Sequence, residues 1–151
     1  MHLIVITGLR EEAKSGLAHL LIESLIAQNA SLTVFDNGDE PLKLDIVMRR
    51  RLVGGCVCCS LAAAIIPLVW RLETDYGLLL VSSSADPEAL ALVLDSLRSG
   101  RIQITTISLI DVLTQTRHPH LAQKLAFYSD LQVYEPFDFA EAVHATVRVP
   151  V

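Results

Sequence analysis

His2-Leu3-Ile4-Val5-Ile6-Thr7-Gly8-Leu9-Arg10-Glu11-Glu12-Ala13-Lys14-Ser15 opens the chain, and its two ends ask for different backbones. Residues 2–7 form an apolar, β-branched run that reads as a buried strand. Residues 14–27 carry Leu17, Leu20, Leu21, Leu25 and Ile26 at helical spacing. Strand, glycine-bearing loop and helix are therefore the first unit. The same alternation continues downstream. Residues 31–35 read as a strand closed by the turn-forming Asp36-Asn37-Gly38-Asp39, and 61–72 as a helix that Pro67 should bend or end. The aliphatic run 76–81 suits a central parallel strand, and Asp86-Pro87 opens a helix to about Leu97. Strand 102–110, helix 120–127, strand 130–134 and a helical stretch over 138–143 complete the series. This order predicts an α/β fold with a mostly parallel central sheet, helices on both faces, and a ligand crevice beyond the carboxyl ends of the strands.

A length of 151 residues suits one domain, taken here as 1–151, with neither an internal repeat nor a linker rich in Gly, Pro or Ser. With 52% hydrophobic and 19% charged residues, the chain lies far from the disordered class. Its net charge of −5 argues against nucleic acid or an anionic membrane as a partner, since both are polyanions. Residues 2–7 lack the basic start of a secretory signal, and the longest apolar run, 61–70, falls short of the roughly 20 residues of a membrane span. All three cysteines fall within four positions, Cys56 to Cys59, which fits reduced thiols better than a disulfide framework. A cytoplasmic location is expected.

The loop after the first strand is a near match to a phosphate-binding loop. Such a loop wraps its amides around phosphates and follows them with a Lys for the terminal phosphates and a hydroxyl for Mg²⁺. Gly8, Lys14 and Ser15 hold the corresponding places, but the second glycine position is Ala13. The acidic pair Glu11-Glu12 is a harder obstacle. A carboxylate about 4 Å from a phosphate oxygen is repelled by about 4 kcal/mol at an effective dielectric near 20. Two readings stand side by side. In one, this is an eroded nucleotide site; in the other, Gly8 turns the chain, Glu11 and Glu12 favour the helix dipole, and Lys14 points to solvent.

Gly54-Gly55-Cys56-Val57-Cys58-Cys59-Ser60 is the most specific feature. Three thiols this close can converge on one soft metal ion. Zn²⁺ accepts thiolates at about 2.3 Å and leaves a fourth position for solvent, a carboxylate or a His. The alternative is three separate cysteines acting as small hydrophobes.

With these motifs the chain resembles the CobW-like P-loop GTPases, a metallochaperone group in which Gly-Cys-x-Cys-Cys binds a transition metal. The resemblance implies a three-layer P-loop NTPase-like fold. In that group the first loop has glycines at the positions of Gly8, Glu11 and Ala13, then Lys and Thr where this chain has Lys14 and Ser15. Asp36-Asn37-Gly38-Asp39 is similar to a diverged switch stretch, and 75–87, ending in Ala85-Asp86-Pro87, follows the second signature. There the family's acid falls on Leu80 and its glycine on Ser83. Residues 106–111 resemble the strand ending in Asp, and 125–130 the segment before the guanine-recognition motif. That motif aligns with Glu135-Pro136-Phe137-Asp138, where only Asp138 remains to meet a guanine edge. The resemblance further implies a second, C-terminal domain that this sequence does not contain, absent or supplied by a separate partner subunit.

The expectation drawn from this is a metal-binding module in which Cys56, Cys58 and Cys59 hold Zn²⁺ or a similar ion. Its nucleotide site would be degenerate, formed by Gly8, Ala13, Lys14, Ser15 and Asp138, with weak or no GTP hydrolysis. A client metalloprotein would be the further partner. One rival is an active GTP-hydrolysing metallochaperone, with Lys14 on phosphate, Ser15 on Mg²⁺ and Asp36, Asp39 or Asp111 replacing the missing acid. The other is an interaction subunit that has lost both ligands. Arg49-Arg50-Arg51 reads as a solvated strand edge, His118-Pro119-His120 as a loop without ligand spacing, and His19 as a partly buried histidine. Ser82 to Ser84 offer hydroxyls and amides to an anion, without the His and acid of a nucleophilic triad.

Overall fold

A computed structural model describes residues 1–45 and 48–147. Six strands form one sheet: β1 (His2–Gly8), β2 (Leu32–Asp36), β3 (Met48–Arg51), β4 (Tyr76–Leu80), β5 (Gln103–Ile110) and β6 (Leu131–Tyr134). Their spatial order is β3-β2-β4-β1-β5-β6, and every adjacent pair is parallel. The helices are α1 (Glu11–Ala27), α2 (Ala62–Trp70), α3 (Pro87–Leu97), α4 (Val112–Arg117), α5 (Pro119–Phe127) and α6 (Ala140–Thr146). The arrangement is α/β and fits a three-layer, P-loop NTPase-like architecture.

Alternation along the strands divides the core. Ile4 and Ile6 of β1, with Leu78 and Leu80 of β4, pack against Leu17, Leu21 and Leu25 of α1. Leu3, Val5 and Leu79 face the other way, onto Ile65 and Val69 of α2 and Leu90, Leu94 and Leu97 of α3. Each sheet face thus needs its own helices, because a strand buried on both sides has no polar face to give to water. The chain leaves β1 for α1 on one face and β4 for α3 on the other. The crevice beyond these two adjacent strands is the place where such sheets bind ligands.

Several elements depart from the sequence expectation. Leu20 and Ile26 are 42% and 39% exposed, while Ile22 takes a place in the α1 core stripe. Pro67 lies within α2 and does not end it. Strand β3 has no apolar alternation: its residues are Met48 and Arg49 to Arg51, and it pairs with β2 at the sheet edge. Arg50 is exposed, as a solvated edge requires, but Arg51 donates to the Asp36 carboxylate at 3.0 Å and Arg49 to the Leu42 carbonyl. Helix α4 starts directly after β5, with Asp111 accepting from the Thr114 amide as its N-cap. Asp86 caps α3 in the same way, accepting from the Ala89 amide. No helix among the described residues is long and apolar enough to cross a membrane.

Candidate functional site

The loop after β1 is short because α1 begins early. Gly8 ends β1 at φ +144°, and a Cβ there would lie 2.5 Å from the Leu109 carbonyl oxygen of β5. Arg10 then stands at the N-cap with extended backbone, and the first helical hydrogen bond runs from the Lys14 amide to the Arg10 carbonyl at 3.1 Å. Glu11, Glu12 and Ala13, which a wrapped phosphate loop would leave outside the helix, are inside it. Ala13 is buried in the core, and His19 sets its ring against the Ser15 carbonyl at 2.7 Å.

Lys14 does not reach solvent. Its side chain is 0% exposed, and the ammonium donates to the Val81 carbonyl beyond β4 at 2.7 Å. Its charge is met by Glu11 Oε2 at 3.1 Å, one helical turn back, with the Glu11 side chain 19% exposed. That oxygen is buried and accepts no hydrogen bond among the described residues. Glu12, the other acid of the pair, is exposed. Gly38 makes the room for Glu11, since a Cβ on Gly38 would lie 2.3 Å from Glu11 Oε1.

The stretch 36–39 divides its side chains between two neighbourhoods. Asp36 is fully buried and accepts from the Gly38 and Leu42 amides at 3.1 and 2.7 Å and from Arg51. Asp39 accepts from the Ser82 hydroxyl at 3.0 Å, the Ser83 amide at 3.2 Å and the Ser83 hydroxyl. Burial raises the Asp39 carboxyl, but the Ser83 and Ser82 hydrogen bonds and the Lys14 charge outweigh it and leave the group more acidic than usual. Asn37 turns the other way. Its amide nitrogen donates to the Leu52 and Gly55 carbonyls at 3.2 and 2.9 Å, and its oxygen accepts from the Val57 amide at 3.2 Å.

Asn37 thereby ties the cysteine loop to the carboxyl end of β2. Gly54 and Gly55 take φ of +95° and +139°, conformations that L side chains rarely adopt, and the chain turns sharply into 56–61. Cys56 Sγ and Cys58 Sγ lie 2.7 Å apart, and the Cys58 amide donates to Cys56 Sγ at 3.2 Å. A disulfide needs about 2.05 Å, and the cysteines are free thiols. Cys56 is buried, Cys58 half-buried and Cys59 exposed, with its thiol directed at the Cys56 carbonyl at 3.8 Å. Burial and the adjacent Cys58 push the Cys56 thiol up to about 12. The Ser60 backbone amide lowers that of Cys59. Two sulfurs therefore meet, while the third stands outside them. Among the described residues no three His, Cys, Asp or Glu side chains are gathered as a ligand set.

The remaining sequence candidates lie elsewhere. Asp138 is exposed past β6 and accepts from the Ala140 amide at 3.0 Å. Its neighbour Glu135 accepts from Arg10 at 2.6 Å and from the Val112 amide at 2.9 Å, closing the end of the sheet between β1 and β6. Asp111 is committed to its cap, and His118 and His120 sit at and just after the junction of α4 and α5. The sequence marks Asn37 only as part of the turn-forming, switch-like stretch 36–39; its clamp on the cysteine loop is not legible there, because an Asn in a turn cluster does not announce a distant partner. The chain matches no family model and no curated protein, so its likeness to CobW-like GTPases stands on residue motifs alone.

Proposed function

We propose that this chain is a metal-binding module of CobW-like type, in which Cys56, Cys58 and Cys59 bind Zn²⁺ or a similar soft ion, with weak or no nucleotide hydrolysis. The observation that carries the reading is the approach of Cys56 Sγ to Cys58 Sγ on a loop already fixed by Asn37. Two thiolates on one tetrahedral ion stand about 3.8 Å apart at Zn–S distances of about 2.3 Å. The pair needs only a small opening to reach that spacing. Cys59, exposed and one residue further on, supplies the third thiolate by turning from the Cys56 carbonyl. Solvent or a ligand from a client protein completes the set, the arrangement suited to an ion that is to be handed on.

The hydrolytic alternative finds less support. Lys14 is paired internally with Glu11, Asp36 and Asp111 already serve backbone amides, and Leu80 and Ser83 stand where the family's acid and glycine would be. The module would act by binding or regulation, with a client or a partner subunit as its target. The test is zinc content and thiol accessibility of protein purified under reducing conditions. Near-stoichiometric zinc that is lost in Cys56→Ser and Cys58→Ser is expected. Protein that takes up no zinc with its thiols reduced ends the proposal.

A further inference from the structure

We infer that Cys56 and Cys58 are a redox dithiol, which hydrogen peroxide closes into a disulfide while Cys59 ends as a thiol. The disulfide rests on the loop geometry alone; only its effect on a bound ion rests on the metal reading above. Cys56 Sγ and Cys58 Sγ stand 2.7 Å apart, and a disulfide needs about 2.05 Å. Little has to move. The Cys59 and Leu61 amides both donate to the Cys56 carbonyl, at 3.2 and 3.1 Å, and the Val57 amide between the two cysteines donates to Asn37. Cys56 and Val57 also belong to the core layer of Phe35, Ile65 and Leu79. Two groups restrained in this way react with each other in preference to a second molecule. Burial keeps the Cys56 sulfur from other chains and leaves the half-buried Cys58 as its partner. A bond between Cys58 and Cys59 would close its ring across one planar peptide, which strains it. The Cys59 thiol is directed at the Cys56 carbonyl rather than at the Cys56 sulfur.

Peroxide is the sole oxidant the reaction needs. The Cys58 sulfur attacks one peroxide oxygen, the O–O bond breaks and water leaves, giving the Cys58 sulfenic acid. The Cys56 sulfur then attacks Cys58, the S–O bond breaks, and a second water leaves with the Cys56 proton. The two thiols lose two electrons in all, and the peroxide gains them. Where the oxygen lands first on the exposed Cys59, thiol–disulfide exchange within the loop moves the bond to the pair already in contact. A closed pair has no thiolates to offer, so an ion held by the three cysteines is released as it forms.

The test uses the full chain, reduced and metal-free, given a small excess of hydrogen peroxide and then quenched with iodoacetamide. Mass spectrometry should show the loss of two hydrogens and the alkylation of a single thiol. Reduction and a second labelling with N-ethylmaleimide, read by peptide fragmentation, should place the first label on Cys59 and the second on Cys56 and Cys58. Reductant should restore all three thiols. Cys59→Ser should still lose both of its thiols to one disulfide, and the wild-type chain oxidised in urea should scatter the bond among the three cysteines. The inference is overturned if peroxide carries the native sulfurs to sulfinic acid with no disulfide, if the first label falls on Cys56 or Cys58, or if the native chain scatters the bond as the urea-unfolded one does. Zinc is followed separately with a chromogenic chelator. A chain that closes the pair but takes up no zinc keeps this inference and ends the metal reading, and one that takes up zinc but never closes the pair does the opposite.

Discussion

The Asn37 side chain donates to the Gly55 carbonyl at 2.9 Å and so joins the end of β2 to the glycine pair that precedes the cysteines. The same amide group also holds Leu52 and Val57, so one buried residue fixes the loop on both sides of Gly54-Gly55. Asn37→Ala removes these three bonds and leaves the buried Val57 amide unpaired. A loss of about 2–3 kcal/mol in chemical unfolding is expected. Cys56 should become accessible to alkylation and zinc affinity should fall, because the loop must then be ordered by the ion itself.

Cys59 should be the first cysteine modified by a small alkylating reagent and Cys56 the last. Cys59 is exposed and its thiol is more acidic than usual through the Ser60 backbone amide, whereas Cys56 is buried and raised to about 12. Peptide mapping after brief alkylation of the reduced, metal-free protein reads the order. Zinc uptake should release protons and weaken steeply as pH falls, since the bound form requires thiolates. A potentiometric titration checks it, and affinity that stays constant from pH 8 to pH 6 would contradict it.

Gly8→Ala should destabilise the domain by about 2–4 kcal/mol, as measured by urea unfolding. The cost has two sources, the φ of +144° and the backbone carbonyl of Leu109, which cannot swing aside as a side-chain end could. By contrast, Gly100→Ala, where an added Cβ meets nothing within 4 Å, should change stability by well under 1 kcal/mol.

Stability should fall on acidification below the ordinary carboxylate range. Asp75 is made more acidic by the Ser31 amide and hydroxyl, and Asp86 by the Ala89 amide and Lys124 against the opposing effect of burial. With Asp39 they bind protons less readily folded than unfolded, where the reference value is 3.8. The unfolded chain therefore takes up protons first. The stabilisation is whole above that value and is lost as pH drops through the lower folded ones. Urea midpoints between pH 7 and pH 3 test this, and Asp75→Asn should make the acid limb shallower.

The fold class was legible because its central strands are aliphatic on both faces. Residues 3–6 and 78–81 need no partner information to be read as interior. Strand β3 was not, since its apolar signal is one Met followed by three Arg, and only pairing with β2 makes it a strand. Helix α4 was hidden because Asp111 serves both as the residue after a strand and as a cap. At the site, the acidic pair was visible but not its division, with Glu11 turned inward to Lys14 and Glu12 outward. That choice depends on the room left by Gly38, twenty-seven positions further along the chain. The clustering of the cysteines was plain in the sequence. Which two sulfurs meet was not, because it depends on the Asn37 clamp.

The middle position of β1 also shapes how the chain must be made. This strand is made before either of its hydrogen-bonded neighbours, β4 and β5, whose residues begin at Tyr76 and Gln103. At synthesis rates of about 5–20 residues per second, its apolar side chains wait roughly 4–14 s for β4 and roughly 5–20 s for β5. During that interval α1 can form beside it, but the sheet cannot close. Nascent chains ending before β5 should accordingly bind holdase chaperones through β1, and those extending beyond Ile110 should release them.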